Sequence, residues 1–163
     1  KYAITIVAVN GAKKASASTE FTGLEWNDVV TGTYYFGVIP AVTGESTSTT
    51  LQICTTDNTL YRLKDVFGKD SHMKIQLLPD YTATDDDGTY TYFRIPATET
   101  PFTDAGTTIG VRDIGYWQGS TAWITDNGYE SGMYEDYNCF FCIQYYAAKS
   151  KGYNYEYFVP DVE

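Results

Sequence analysis

The 163-residue chain contains a single histidine, His72. One imidazole excludes a metal site with several histidine ligands, and His72 lies in a polar segment, residues 69–73, that is typical of a surface turn. The chain also lacks the P-loop, GxGxxG and GxSxG motifs. The sequence therefore gives no support to nucleotide binding or to α/β-hydrolase chemistry.

Cysteine is scarce, with three residues at Cys54, Cys139 and Cys142. This odd number fits neither a full disulfide framework nor a zinc site with four thiolates. Cys139 and Cys142 have the CxxC spacing but lie in a strand-like run, where side chains three residues apart point to opposite faces. The sequence predicts free core cysteines, and a single disulfide from Cys54 to Cys139 or Cys142 is the alternative.

Basic residues are few, eleven against twenty-one acidic residues, and the net charge is −10. A surface of this sign repels phosphate backbones, which excludes nucleic acid as an expected partner unless a local basic patch exists. The pairs Lys13-Lys14 and Lys149 with Lys151 are interpreted as solvated turns. No apolar run approaches the roughly twenty residues that a membrane-spanning helix needs, so no transmembrane segment is expected.

Aromatic and β-branched residues are abundant, with sixteen Tyr, eight Phe and three Trp. Such residues favour pleated, half-buried strands. No segment has a sustained apolar spacing of 3.6 residues, and proline or glycine recurs about every ten residues, a pattern typical of all-β domains. The sequence predicts an all-β fold, an antiparallel β-sandwich or jelly-roll with little helix.

Alternation and turn residues place the expected strands of the main domain, three of which are predicted to end at Pro40, Pro79 and Pro96. These strands are residues 31–39, 50–55, 59–64, 74–78, 89–95, 107–113, 122–125, 139–147 and 153–159.

The first twenty-one residues predict a β-hairpin that turns at Asn10-Gly11. The pattern Tyr-x-Ile-x-Ile-x-Ala-x-Asn from Tyr2, followed by a glycine turn and a Ser-rich strand, resembles the last two strands of a fibronectin type III domain. The resemblance implies a partial fibronectin-like hairpin at residues 1–23 and a separate β-sandwich module at residues 24–163. Because two strands alone leave open edges, self-association through this hairpin is a further expectation.

A second resemblance covers residues 24–115. Trp26, the run from Thr31 to Tyr34, and Tyr61-Arg62-Leu63 followed by a glycine are similar to a pattern in uncharacterised β-rich modules of Bacteroidota (gut-type) surface lipoproteins. The chain departs from that pattern at residues 65–67, where the modules have Pro-Tyr. The resemblance implies an extracellular or outer-surface location, with a lipid anchor in a longer parent protein, and it assigns no chemistry.

The best candidate site is the glycine-rich stretch of residues 113–130 with its flanking arginine. Planar rings stack on sugar faces while short polar side chains bind hydroxyl groups, so this composition favours glycan contact. The alternative is that one or both tryptophans are core residues, and Trp123 alternates with Ile124 as in a strand. The candidate ligand-binding residues are Arg112, Tyr116, Trp117, Gln118, Trp123, Asp126, Asn127 and Tyr129.

Carboxylates offer two further hypotheses. A glycosidase needs two of them across a cleft, but no motif singles out a pair. The candidates for this role are Glu99, Asp104, Asp113, Asp126, Glu130, Glu135 and Asp136. A second cluster, Asp85, Asp86 and Asp87, precedes a glycine and is interpreted as a solvated turn, with Ca²⁺ as a weakly supported alternative because the acids are adjacent rather than alternating.

Together these patterns predict a non-catalytic cell-surface or secreted adhesion module without a cofactor. Its expected partner is a glycan or another surface component. Two alternatives stay open: a structural or assembly protein that pairs strands, and a carboxylate-dependent enzyme acting on glycans.

Overall fold

The computed structural model describes the backbone at residues 2–10, 13–21, 23–118 and 127–162, and the side chains at residues 23–116 and 127–162. Within these ranges the chain is almost entirely strand, with two short helices. The strands are β1 (Tyr2–Asn10), β2 (Lys13–Phe21), β3 (Trp26–Tyr35), β4 (Ser46–Cys54), β5 (Asp57–Gly68), β6 (Ser71–Asp85), β7 (Gly88–Arg94), β8 (Thr98–Asp104), β9 (Thr107–Asp113), β10 (Ser131–Tyr134), β11 (Cys139–Tyr146) and β12 (Ser150–Pro160), and the helices are α1 (Pro40–Thr43) and α2 (Ile114–Gln118).

Eight strands form a closed barrel in the order β10-β7-β6-β5-β4-β3-β12-β11. The ring closes because β11 pairs with β10 as well as with β12. All of these pairings are antiparallel. Closure satisfies the edge hydrogen bonds that an open sheet would leave unpaired.

A two-stranded branch leaves the barrel at β11. The first residues of β11 pair with β10, whereas its last residues, Ile143 to Tyr146, pair with β9. Strand β8 then pairs with β9 and ends the sheet. The same edge of β11 therefore pairs with β10 near its N-terminal end and with β9 near its C-terminal end.

Side chains alternate between the barrel interior and its outer face, as the two-residue period of a strand requires. On β11, Cys139, Phe141, Ile143 and Tyr145 belong to the buried core cluster, while the intervening side chains point outward. The largest fully buried side chains of the core are Tyr34, Leu51, Leu63, Met73, Ile75, Ile95, Ile109, Phe141, Ile143, Tyr145 and Phe158.

The prediction of an all-β antiparallel fold with little helix is confirmed. The finer expectation of a sandwich or jelly-roll differs from the observed architecture, which is a closed barrel. Alternation reveals which strands have one buried face, but it does not reveal whether the buried faces line two layers or one ring. The sheet closes into a barrel, and does not form two layers, because β10 pairs with both β7 and β11.

Several strand boundaries also differ from the predicted ones. Strand β6 continues through Pro79 to Asp85, with its pairing to β7 interrupted between Leu77 and Thr82. A proline is tolerated there because the irregularity removes the need for its missing N–H. Strands β8 and β10 were not predicted, and the expected strand at residues 122–125 lies outside the described residues.

All three cysteines are free and buried, so the prediction of free core thiols is confirmed and the alternative disulfide is wrong. Cys139 belongs to the core cluster, whereas the buried Cys142 lies outside that cluster. Burial raises the pKa of both thiols, that of Cys142 to about 11. Both thiols are therefore protonated and unreactive near neutral pH.

The N-terminal hairpin is an antiparallel pair, β1 with β2, in register from Tyr2 opposite Phe21 to Asn10 opposite Lys13. It forms its own two-stranded sheet. Gly11 of the predicted turn lies outside the described residues. As the lack of long apolar runs predicts, no helix in the described part of the chain could cross a bilayer.

Candidate functional site

Strand β12 organises the most distinctive surface of the barrel. Its side chains alternate, with Glu156 and Phe158 buried inside and Tyr155 and Tyr157 on the outer face. Outward-facing tyrosines on one strand form a continuous aromatic row. Tyr157 is 49% exposed, so its ring is accessible to a ligand.

Neighbouring strands extend this row into a groove of about 700 Å³. The ring of Phe140 on β11 lies 6.3 Å from that of Tyr155, and 5.0 Å from that of Tyr90 on β7. Tyr134 on β10 completes the group, 5.4 Å from Tyr90. The outward-facing aromatic residues that line the groove are Tyr90, Tyr134, Phe140, Tyr155 and Tyr157, and the buried Phe158 also borders it.

Gly132 permits the close packing of these rings. It lies on β10 opposite Tyr92 of β7 and Phe140 of β11. A Cβ atom at this position would lie 2.6 Å from Cδ2 of Tyr90 and 2.7 Å from Cζ of Phe140. The absence of a side chain therefore lets two rings meet over the strand that closes the barrel.

Four carboxylates line the same groove: Asp85, Asp87, Glu130 and Asp136. They come from the β6–β7 turn, from the residue before β10 and from the β10–β11 turn. A surface with this many acids beside exposed rings can accept hydrogen bonds from hydroxyl groups and can attract cations.

One of these carboxylates is held in place by the aromatic group. The Tyr134 hydroxyl donates a hydrogen bond to Oδ2 of Asp85 at 2.5 Å, and the Asp87 N–H donates to Oδ1 at 2.9 Å. The tyrosine hydrogen bond lowers the pKa of Asp85 and raises that of Tyr134. Asp85 is therefore charged and Tyr134 neutral at physiological pH.

Two other groove tyrosines, Tyr90 and Tyr155, are neutral as well. Burial raises the pKa of Tyr90 to about 12, and burial also raises the pKa of Tyr155. The Tyr155 hydroxyl donates to the carbonyl oxygen of Gly128 at 2.9 Å. The groove thus combines neutral rings with at least one fixed negative charge.

The first part of the predicted aromatic stretch is anchored by an ion pair. Nε of Arg94 donates to Oδ2 of the buried Asp113 at 2.8 Å, and a second nitrogen donates to Oδ1 at 3.0 Å. Asp113 also accepts the N–H groups of Ile95 and Tyr116. The Asp113 carboxylate therefore holds the end of β7 and the start of α2 together.

Tyr116 and Arg112 were predicted ligand contacts, and the structure places each beside another residue. Tyr116 is exposed, and its ring lies 4.6 Å from the guanidinium carbon of Arg94. Arg112 donates to Oε1 of Gln144 at 2.9 Å, and its guanidinium lies 4.1 Å from the ring of Tyr146. Neither lines the groove.

The central residues of the stretch are only partly described. The backbone of Trp117 and Gln118 belongs to helix α2, and their side chains lie outside the described residues. Trp123 and Asp126 lie outside the described residues altogether. Their predicted contact with a glycan stays a prediction.

The last residues of the stretch approach the groove. Asn127 is exposed, and the ring of Tyr129 meets that of Tyr153 edge-on at 6.1 Å. Glu130 lines the groove itself, and Tyr155 binds the backbone at Gly128. The predicted loop is therefore joined at its C-terminal end to the aromatic row of β12.

Two acids from the predicted set, Glu130 and Asp136, meet in the groove, and Asp85 and Asp87 from the predicted turn join them. Asp86 does not line it. Asp104 instead pairs with Lys151 at 2.7 Å. The acids are brought together by strand pairing rather than by spacing along the sequence.

Another polar cluster lies in the β5–β6 turn, where Asp65, Asp70 and His72 offer possible metal ligands within 4.8 Å of one another. Two of these side chains, those of His72 and Asp65, already accept hydrogen bonds from the backbone. Nδ1 of His72 accepts the Asp65 N–H at 2.9 Å, and Oδ1 of Asp65 accepts the Asp70 N–H at 2.8 Å. Both aspartates have positive φ, 54° and 61°, so the contacts fix a tight turn.

The interior of the barrel contains a buried carboxylate, Glu156, that no sequence pattern had indicated. Glu156 is fully buried and accepts four hydrogen bonds, from the hydroxyls of Tyr34 and Tyr145 and from the N–H groups of Gly37 and Val38, at 2.7–3.1 Å. Burial raises its pKa, and the four donors partly offset that effect. With its acceptors occupied, Glu156 joins strands and a loop and is not open to a ligand.

The groove tyrosines were missed, although the sequence carries a signal for them. Aromatic residues at alternate positions, Tyr90 with Tyr92 and Tyr153 with Tyr155 and Tyr157, indicate one face of a strand. Because the outer face of a barrel is normally polar, such a row points to a binding surface.

These features define a class: an antiparallel β-barrel with an acidic, aromatic groove on its outer face. Comparison of the chain with protein-family models, with curated proteins and with solved structures finds no match.

Proposed function

We propose that this protein is a non-catalytic glycan-binding module and that the outer groove holds the sugar. The observation that supports the proposal is the set of five outward-facing aromatic side chains and four carboxylates around one opening of about 700 Å³. This volume lies within the range of small-ligand sites.

The two kinds of side chain would have separate roles. Exposed rings such as Tyr157 stack on the apolar C–H faces of pyranoses, and carboxylates such as Glu130 accept hydrogen bonds from sugar hydroxyls. The open shape of the groove suits a chain of sugars lying across strands β7, β10, β11 and β12. The sequence-based prediction that Trp117 and Trp123 contact the glycan remains part of this proposal.

The location belongs to the same proposal. Glycan binding, an acidic surface and the resemblance to Bacteroidota surface lipoprotein modules support an extracellular or outer-surface protein, lipid-anchored in its full-length form. No cofactor takes part. The fibronectin-like hairpin and the barrel would be neighbouring parts of a modular adhesin.

Removal of one exposed ring tests the proposal. We expect Tyr157→Ala to weaken binding to the glycans that the wild type selects on an array by about tenfold, or ~1.4 kcal/mol, because a stacking surface is lost. Tyr81→Ala is the control, since Tyr81 is 59% exposed on β6 and does not line the groove. The proposal fails if no glycan binds, or if Tyr157→Ala binds as the wild type does.

The same samples distinguish the alternatives. Release of new reducing ends from a bound glycan would favour a carboxylate-dependent enzyme. The separate β1–β2 sheet is the observation that favours an assembly role. A ladder of polymers on native gels that disappears when residues 1–21 are deleted would support that role instead.

A further inference from the structure

The described charged residues that line the groove are all negative. Its lining residues include four carboxylates and, among the described residues, no lysine or arginine. In the described part of the chain, the carboxylates of Asp87 and Glu130 have no hydrogen bond or ion pair within the protein. Their charge is therefore available to a ligand, unlike that of Asp113, which Arg94 neutralises.

The aromatic rings of the groove also favour a positively charged ligand. Tyr90 contacts both Tyr134 and Phe140, and these three rings line the groove together with the acids. An ammonium group gains from a carboxylate and from a ring face together, whereas an anionic group is repelled by both.

We propose that the groove selects glycans that carry free amino groups, such as oligomers of glucosamine, over acetylated, neutral or acidic glycans. The inference rests on the proposed glycan-binding function and names its ligand class. Sugar rings supply the apolar faces that stack on Tyr157 and Phe140, and protonated amines supply the charge that matches Glu130 and Asp87. A glycan is favoured over a short polyamine because the lining contains five outward-facing aromatic rings as well as acids.

Calorimetric titration of the whole chain with defined tetrasaccharides tests this preference. The probes are glucosamine tetramer, its fully N-acetylated counterpart, and a neutral and a uronic-acid tetramer, at about pH 5.5, where carboxylates are charged and sugar amines are protonated. We expect the amine form to bind about tenfold more tightly than the acetylated form, and the uronic-acid form to bind least. The preference should shrink as NaCl rises from about 0.05 M to about 0.5 M, because salt screens exposed charges.

Charge-neutralising variants locate the effect. Glu130→Gln and Asp87→Asn should each reduce the preference for the amine form over the acetylated form by about threefold, because each removes one negative charge and keeps a hydrogen-bond acceptor. Glu99→Gln is the matched control, because Glu99 is exposed on β8 and does not line the groove.

Each outcome decides between the two proposals. Equal affinities for the amine and acetylated tetramers, or a preference that survives both groove variants, would overturn the inference and leave glycan binding intact. Failure of every tetramer to bind would overturn glycan binding together with the inference. Spermine binding as tightly as the glucosamine tetramer would show that charge alone is recognised and would also overturn the inference.

Discussion

Two tyrosine–carboxylate clusters lie on opposite faces of strand β12, and they differ in how their acids are satisfied. Inside, Glu156 accepts four hydrogen bonds from the protein at 2.7–3.1 Å. Outside, Glu130 and Asp87 accept no hydrogen bond from the protein in the described part of the chain, although five outward-facing aromatic rings line the same groove. The same residue types therefore stabilise the fold on one face and remain open to a ligand on the other.

The difference follows from desolvation. A buried carboxylate is costly unless its acceptors are filled, so the interior cluster has to be complete within the chain. An exposed carboxylate is solvated by water and carries no such requirement. Completeness of hydrogen bonding, rather than residue type, distinguishes the structural cluster from the candidate binding cluster.

The largest expected effect is the loss of the interior carboxylate. We expect Glu156→Ala to lower the free energy of unfolding by about 3–5 kcal/mol, because four buried donors lose their acceptor and a cavity remains. Urea denaturation followed by tryptophan fluorescence measures this change. Glu130→Ala is the control on the outer face, with an expected change below about 0.5 kcal/mol. Equal effects for the two variants would contradict the contrast between the clusters.

A smaller effect is expected at Gly132, where the outer cluster depends on close packing. Gly132→Ala should lower the free energy of unfolding by about 1–3 kcal/mol, because the new methyl group displaces the rings of Tyr90 and Phe140. It should also weaken glycan binding. Gly106→Ala strains a backbone with φ of 81° but meets open space, so it should lower stability without changing binding. Unchanged affinity in Gly132→Ala would show that these rings do not shape the ligand site.

The smallest expected effect is a pH dependence from the interior cluster. Burial raises the pKa of Glu156, so its protonated form stabilises the fold. This contribution is fully present below the unfolded pKa of about 4.3 and is lost as the pH rises through the folded pKa. Glu156→Gln mimics the neutral acid and does not titrate.

Urea denaturation of both proteins from about pH 4 to about pH 8 measures the effect. The stability of the wild type relative to Glu156→Gln should decline as the pH rises above the unfolded value and then level off. A relative stability that rises with pH would mean that the four donors outweigh burial and hold the pKa low.

Local patterns predicted most of the strands but not their arrangement. Alternation in residues 59–64 predicts one buried face, which strand β5 has over these residues, and the predicted strand at residues 139–147 is present as β11. Strand β10 has four residues, Ser131–Tyr134, too few for a pattern to stand out, and it closes the barrel. The closed architecture therefore depends on β10, a strand too short to be predicted from alternation in the sequence.

The candidate site was predictable in composition but not in position. The stretch at residues 113–130 was singled out for its rings and amides, and Glu130 at its end lines the groove. The opposite wall comes from Tyr90 and Asp85, which reach the groove because β7 pairs with β10 some forty residues later. A single sequence contains no direct signal for such long-range pairing.

The groove takes its residues from strands that leave the ribosome at very different times. Asp85 and Tyr90 are synthesised before Tyr157, which lies on β12, and the barrel closes only when β12 has paired with β3. Non-local pairing of this kind is slow to form. A sugar held across these strands would bind only the finished barrel and would resist its reopening. Ligand occupancy would then also report that folding is complete.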